Sequence, residues 1–151
     1  MNFDFLSLTE DDLVECSHLF VNTFKNEPWN EDWDIDDAFN RLSNFLSSPY
    51  SMGLKVVRQD KIQGFLVGEI EQWRWYQSFY LKEMCVLKNL QRSGFGRELM
   101  RVLQIELRKK GISRIYFITQ RKTVPEKFYN SLDFRTNESL IIMGKSIEES
   151  S

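Results

Sequence analysis

The chain has 151 residues, long enough for one well-buried core and too short for two ordinary domains. Its 42% apolar, 28% charged and 14% aromatic residues are globular proportions and exclude a disordered chain. A net charge of −2 and an isoelectric point near 5.5 argue against a nucleic-acid binder, and no run approaches the ~20 apolar residues of a membrane span.

Residues 1–4 carry neither a basic nor an apolar leader signature, so the protein is expected to be soluble and cytoplasmic, without a membrane partner. Cys16 and Cys85 are the only cysteines, too few for a disulfide framework or a zinc cage, and read as buried free thiols with no metal implied. Residues 3–7 read as a short strand. Thr9 with Asp12 resembles a capping box that opens a helix running to about Lys25. Leu13, Cys16, Phe20 and Phe24 line one face of it. Glu15, His18, Asn22 and Lys25 form the opposite stripe, which makes the only histidine an exposed one. Asp34 caps a second helix, in which Ile35, Ala38, Phe39, Leu42, Phe45 and Leu46 repeat at helical spacing until Pro49 stops it.

Residues 52–58 and 62–75, joined by Gln59-Asp60-Lys61, read as a β-hairpin, and residues 79–87 as the next strand. Beyond the glycine-containing turn at residues 91–96, Leu99, Val102, Leu103 and Leu107 give a helix an apolar face, and Gly111 closes it. A strand over 112–119, a short helix over 125–132 and a last strand over 140–144 complete the order β-α-α-β-β-β-α-β-α-β. The expected fold is α/β (α+β), a single mixed, mostly antiparallel sheet flanked by helices.

Charge is polarised along the chain. Residues 1–50 hold 11 acids against Lys25 and Arg41, a net −9, and residues 51–151 hold 18 bases against 11 acids, a net +7. Most of the bases between Lys88 and Lys127 fit a solvated helix face. Arg92 and Arg97 differ because they lie in or beside the glycine turn. In Gln91-Arg92-Ser93-Gly94-Phe95-Gly96 two glycines allow a tight turn and a close backbone approach, and the following helix points its first N–H groups into that turn. Such an arrangement cradles an anion. A dinucleotide-binding turn would need a small residue where Leu99 stands and an acid near Thr119 and Gln120. A P-loop would need Gly-Lys-Ser/Thr where the chain has Gly96-Arg97-Glu98.

In this setting the chain resembles the GNAT (Gcn5-related) N-acetyltransferase superfamily. Gln91, Gly94 and Gly96 match its acetyl-CoA signature Q/R-x-x-G-x-G/A after the fourth strand. Residues 128–134, Phe-Tyr-Asn-Ser-Leu-Asp-Phe, match its second signature F-Y-x-x-x-G-F except that Asp133 replaces glycine, and Asp tolerates positive φ. Lys88 stands where many members have proline. The resemblance implies a GNAT domain over residues 1–146 and a frayed tail over 147–151.

It also implies acetyl-CoA as co-substrate, with the backbone of Arg92, Ser93, Gly94, Phe95, Gly96 and Arg97 at its phosphates. The strand carrying Met84, Cys85 and Val86 would pair with the pantetheine arm, one N–H near Met84 or Cys85 facing the thioester oxygen. Presenting an alkylamine of pKa ~10.4 as the neutral nucleophile near pH 7 costs roughly 4–5 kcal/mol, so a base is useful. Glu83 is the candidate. Simple alternation puts it on a face with Phe79, Leu81 and Cys85, where burial would raise its pKa; the plainer alternative is an ion pair with a neighbouring arginine. Tyr129 matches the family's general-acid tyrosine, against a packing role.

The acid-rich segment 27–34 would face a cationic primary amine, with Glu27 and Trp29 as acceptor residues and Trp73, Trp75 and Tyr76 as a further wall. Polyamines, aminosugars, amino-acid derivatives and protein amines all satisfy that description. No histidine is placed to activate Cys85, so direct transfer is expected. A catalytically silent acetyl-CoA-binding sensor or interaction module on the same fold is the alternative, and oligomeric state is open, a homodimer included.

Overall fold

The computed structural model describes residues 3–91 and 93–148. Strands β1 (Asp4–Ser7), β2 (Ser51–Arg58), β3 (Lys61–Trp73), β4 (Tyr76–Val86) and β5 (Arg114–Tyr116) form one sheet in the order β1-β2-β3-β4-β5. The first four are antiparallel, and β5 runs parallel to β4. The chain divides into two compact units at Ile118 and Thr119, and the whole sheet belongs to the first.

The hairpin between β2 and β3 turns on Gln59 and Asp60, both at positive φ (51° and 61°), the conformation that two-residue hairpin loops demand. Helices α1 (Leu13–Phe24) and α2 (Ile35–Leu46) pack on each other and on β3. The capping box that precedes α1 forms, with Thr9 N–H donating to Asp12 Oδ2 at 2.8 Å across a 3-10 turn, Glu10–Asp12. Asp12 Oδ1 also accepts from Lys55 Nζ at 2.7 Å, which ties the start of α1 to β2. Burial raises the Asp12 carboxyl, but the hydrogen bonds from Lys55 and Thr9 and the charge of Lys55 outweigh it, so the net shift is downward. His18 is exposed as expected, and Asp34 caps α2 by accepting from the Asp36 N–H at 2.7 Å.

Leu13, Cys16, Phe20, Ala38 and Leu42 meet Phe65, Val67 and Cys85 in one core cluster on this face of the sheet. Alternation turns Leu66 to the other face, where α3 (Phe95–Lys109) packs on β2, β3 and β4 through buried Leu99, Met100, Leu103 and Leu107. The end of α3 is a Schellman motif on Gly111 (φ 75°): Gly111 N–H donates to Arg108 O at 3.0 Å and Ile112 N–H to Leu107 O at 2.9 Å.

Three expectations change. Ile112 is used by that cap, so β5 begins only at Arg114 and spans three residues rather than 112–119. The run at 140–144 is irregular, not a strand; Leu140 to Met143 are exposed, Met143 at 85%. Apolar, β-branched composition does not make a strand without a ladder partner, and none pairs with it among the described residues. The third concerns Glu83. Val67 pairs with Glu83 and Gly68 with Leu81, so Lys82 is an extra residue in β4. This bulge reverses the alternation. Glu83 and Cys85 share the α1/α2 face with Val67 and Phe65, while Phe79 and Leu81 fall on the opposite face, contrary to simple alternation.

The second unit contains α4 (Val124–Ser131), opened by Thr123, whose hydroxyl accepts from the Glu126 N–H at 3.5 Å. Asp133 takes φ 69° just after it, the positive value that a glycine would supply. Among the described residues, no helix is long and apolar enough to cross a membrane, and no three His, Cys, Asp or Glu side chains group as metal ligands.

Candidate active site

Strand β4 hands the chain to α3 through a braced turn. Leu87 N–H donates to Gln63 O at 2.9 Å, a 3-10 turn covers Lys88–Leu90, and Gln91 donates its backbone N–H to Leu87 O at 3.1 Å. The Gln91 side-chain Nε2 reaches back to Val86 O at 3.1 Å, so this residue holds the turn onto the end of β4. Ser93 N–H and hydroxyl both donate to Leu90 O. Gly94 follows at φ 92°, with open space where a Cβ would sit, so the backbone conformation rather than crowding requires glycine there. Its carbonyl accepts from Glu98 N–H at 3.0 Å and starts α3.

Phe95 packs edge-on against Phe3 at 4.3 Å and seats the first turn of α3 beside β1. Gly96 lies in that first turn and Arg97 is exposed, while Arg92 lies outside the described residues. A 15-residue helix begins here with N–H groups that helix geometry leaves without intrahelical partners, the chemistry of a phosphate seat.

Upstream, Met84, Cys85 and Val86 pair with Leu66, Phe65 and Gly64 of β3. On its other side β4 pairs with β5 only at Ser78 to Tyr80 among the described residues. From Leu81 onward the flank facing away from β3 is therefore clear of β5, as a ligand that adds to a sheet edge requires. Both thiols are buried and free. Burial, followed by the charge of Glu83, pushes Cys85 well above the ordinary thiol range, and burial pushes Cys16 up to about 12. Neither is a thiolate nucleophile.

Glu83 is the mostly buried carboxylate beside this flank, its side chain 11% exposed. Arg41 of α2 reaches it from above: Nε donates to Oε1 at 2.7 Å, and Nη2 lies 2.7 Å from the same oxygen. Burial raises the Glu83 carboxyl more than the Arg41 charge and hydrogen bond lower it, and Glu31 adds to the rise. The expected burial effect and the alternative arginine pair are thus both present. The guanidinium lies over the Phe45 ring at 4.8 Å and the Trp33 ring at 5.8 Å, and Trp33 Nε1 donates to Glu31 Oε1 at 2.9 Å.

The acidic loop divides its residues between two places. Glu31 and Trp33 flank Arg41 and Glu83. Glu27 and Trp29 instead line a cavity of about 430 Å³ with Thr23, Lys25, Lys88 and Gln91, at the approach to the glycine turn. Trp29 is also edge-on to Phe24 at 5.0 Å. Trp73, Trp75 and Tyr76 lie at the tip of the β3–β4 hairpin, Trp75 being 80% exposed and 5.9 Å from the Tyr76 ring. Beside the β4–β5 junction, Tyr116 donates its hydroxyl to Glu71; burial and then that hydrogen bond raise its pKa.

The family described as "Acetyltransferase (GNAT) domain" matches residues 53–136, which takes in the hairpin, the β4 edge and the glycine turn. The chain belongs to the GNAT acetyltransferase family.

Similar GNAT-fold structures cover nearly the whole chain. A possible acetyltransferase from Clostridium difficile 630 is 16% identical, covers 98% of this chain and 100% of its own, and superposes with a TM-score of 0.83. The aminoglycoside acetyltransferase meta-AAC0020 from an uncultured soil metagenomic sample, in complex with sisomicin, is 18% identical over 97% of both chains with a TM-score of 0.75. The aminoglycoside N-acetyltransferase AAC(6′)-Iy in complex with CoA is 16% identical over 97% of this chain and 96% of its own, also at 0.75. No curated protein matches the sequence. Within the GNAT match, Tyr129 lies on α4 in the second unit, edge-on to Phe128 at 5.1 Å and Phe134 at 5.8 Å.

The sequence reading puts Glu31 and Trp33 in the acceptor segment 27–34 and Phe45 in the α2 stripe, but it gives Arg41 no place in the site. A signal for Arg41 was present: it is the only base between Asn26 and Tyr50, and it sits three residues after Ala38 and four before Phe45, against the apolar stripe of α2.

Proposed function

We propose that the chain is an acetyl-CoA-dependent N-acetyltransferase that moves the acetyl group directly to a primary amine of a cationic acceptor. The observation that carries this reading is Glu83, a mostly buried carboxylate with a raised pKa, on the flank of β4 that β5 leaves clear and directly upstream of the glycine turn. Acetyl-CoA, when bound, supplies an activated acyl group on a thiol leaving group.

The turn at Gly94 and the start of α3 suit its diphosphate, and residues 84–86 suit the pantetheine arm. Glu83 would take a proton from the acceptor ammonium, directly or through water, and Tyr129 would return one to the departing sulfur. That sulfur has a pKa of about 8.5 and leaves tolerably unassisted, so the base matters more than the acid. The acidic loop supplies the attraction for a cation, with Glu31 and Trp33 beside the base and Glu27 and Trp29 at the cavity. Aminosugar amines head the acceptor panel because two similar folds belong to aminoglycoside acetyltransferases.

The pairing of Arg41 with Glu83 favours one second reading, a silent module that binds acetyl-CoA and transfers nothing. A thiol-release screen with acetyl-CoA over aminoglycosides, polyamines, amino-acid derivatives and peptide amines separates the two. Turnover on any amine class that is lost in Glu83→Gln supports the enzyme. Calorimetric CoA binding with no turnover across the panel supports the module, and no CoA binding overturns both.

A further inference from the structure

Arg41 donates to one carboxylate oxygen of Glu83 and leaves the other. Oε2 takes no hydrogen bond among the described residues, and no buried side-chain oxygen there lacks a partner, so Oε2 is the edge of the carboxylate that reaches solvent. The guanidinium is itself held between the Phe45 and Trp33 rings, and Trp33 is tied to Glu31 and packed edge-on to Phe20 at 4.9 Å. Arg41 is therefore a fixed group although its side chain is 41% exposed. The groups facing Glu83 are Arg41 from α2, Glu31 from the loop and Cys85 from its own strand, with the neutral Cys16 thiol of α1 behind Cys85. Lys82, next in sequence, has its Nζ 3.4 Å from Glu69 and 5.2 Å from the Phe45 ring that Arg41 also covers.

We infer that Arg41 is a positioning residue for acetyl transfer: it anchors Glu83 by Oε1 so that Oε2 is the oxygen presented to the acceptor amine. Its charge has a second effect in that position, since a fixed cation beside the incoming nitrogen disfavours the ammonium form and favours the neutral nucleophile. This inference rests on the proposed role of Glu83 as base.

The test uses Arg41→Met, which keeps a flexible stem against Phe45 and removes the charge, and Arg41→Lys, which keeps the charge without the fork. Two readouts are followed in the full chain: the pH dependence of kcat/KM, and the carboxyl titration of Glu83 by carbon-13 NMR, assigned with Glu83→Gln. In Arg41→Met both midpoints move together to higher pH; near pH ~6 the rate falls about 10-fold or more, while the high-pH plateau changes less than ~3-fold. Arg41→Lys restores most of the loss. An unmoved carboxyl titration in a folded, active Arg41→Met enzyme overturns the inference alone. A moved titration with an unmoved rate profile overturns it together with the base role of Glu83. The titration needs no turnover, so a wild-type chain that transfers nothing is recognised separately as failure of the proposed function, and the inference falls with it.

Discussion

Val67 faces Glu83 across the β3–β4 ladder, one residue out of step with the Gly68–Leu81 pair beside it. That offset turns the carboxylate towards α2 and into reach of Arg41. Without the extra residue at Lys82, regular alternation would send position 83 to the same face as Leu81, under α3 and away from the acidic loop.

Gly68, beside this offset, has no room for a side chain. A Cβ there would meet the backbone carbonyl of Tyr80 and lie 2.5 Å from Phe79 Cζ, so β4 itself would have to move. Gly68→Ala is expected to lower stability by about 1–3 kcal/mol through overpacking. It should also lower activity at fixed CoA affinity, because the shift falls next to the bulge rather than at the glycine turn. Urea denaturation with CoA calorimetry checks both, and unchanged stability would refute the packing argument.

Glu83→Gln keeps the shape and removes the proton acceptor. The rate should fall about 10²- to 10⁴-fold near neutral pH and recover part of that as alkali deprotonates the amine on its own. A pH–rate profile of unchanged shape would take Glu83 out of the base role.

Tyr129→Phe should cost about 10-fold or less, because a thiol leaving group needs little assistance. Steady-state kinetics on the best acceptor decide the order of the two proton steps. A loss larger than that of Glu83→Gln would reverse it.

Gly94→Ala forces an L side chain into φ 92° with nothing near enough to crowd it, so its effect is backbone strain of roughly 1–2 kcal/mol. If the turn relaxes to relieve that strain, the N–H groups at the start of α3 lose their aim. CoA affinity is expected to fall with the rate, and a variant that binds CoA as the wild type does would separate the turn from the diphosphate.

Acid should weaken the tie between α1 and β2. The folded-state pKa of Asp12 lies below its ordinary value of 3.8, so the unfolded chain takes up the proton first as pH falls. The stabilisation is complete above that ordinary value and is lost as pH drops through the folded one. Asp12→Asn removes that ionisable partner, and the gap between the two proteins in urea midpoints, present at neutral pH, should close as pH falls below 3.8. A gap that stays constant into acid would assign it to something other than ionisation.

Periodicity and turn chemistry exposed the elements that begin and end on local signals: the Thr9–Asp12 box, the Asp34 cap, the Gln59-Asp60 turn and the Gly111 cap. All of these form from residues within a few positions of one another. The glycine turn was legible for the same reason. The bulge was not, since the extra residue at Lys82 can be seen only against the partner strand. The partnership of Arg41 with Glu83 spans 42 positions in sequence, and no local pattern encodes it. The run at 140–144 shows the converse: strong strand propensity, but no ladder among the described residues.

Three rungs join β5 to β4, and the Tyr116–Glu71 bond clasps them where the pairing stops. In the proposed complex, the pantetheine arm would continue this seam. An arm lying along residues 81–86, as proposed, would act as a temporary sixth strand. CoA should then slow deuterium uptake in that short stretch and raise the melting temperature in step with its own concentration.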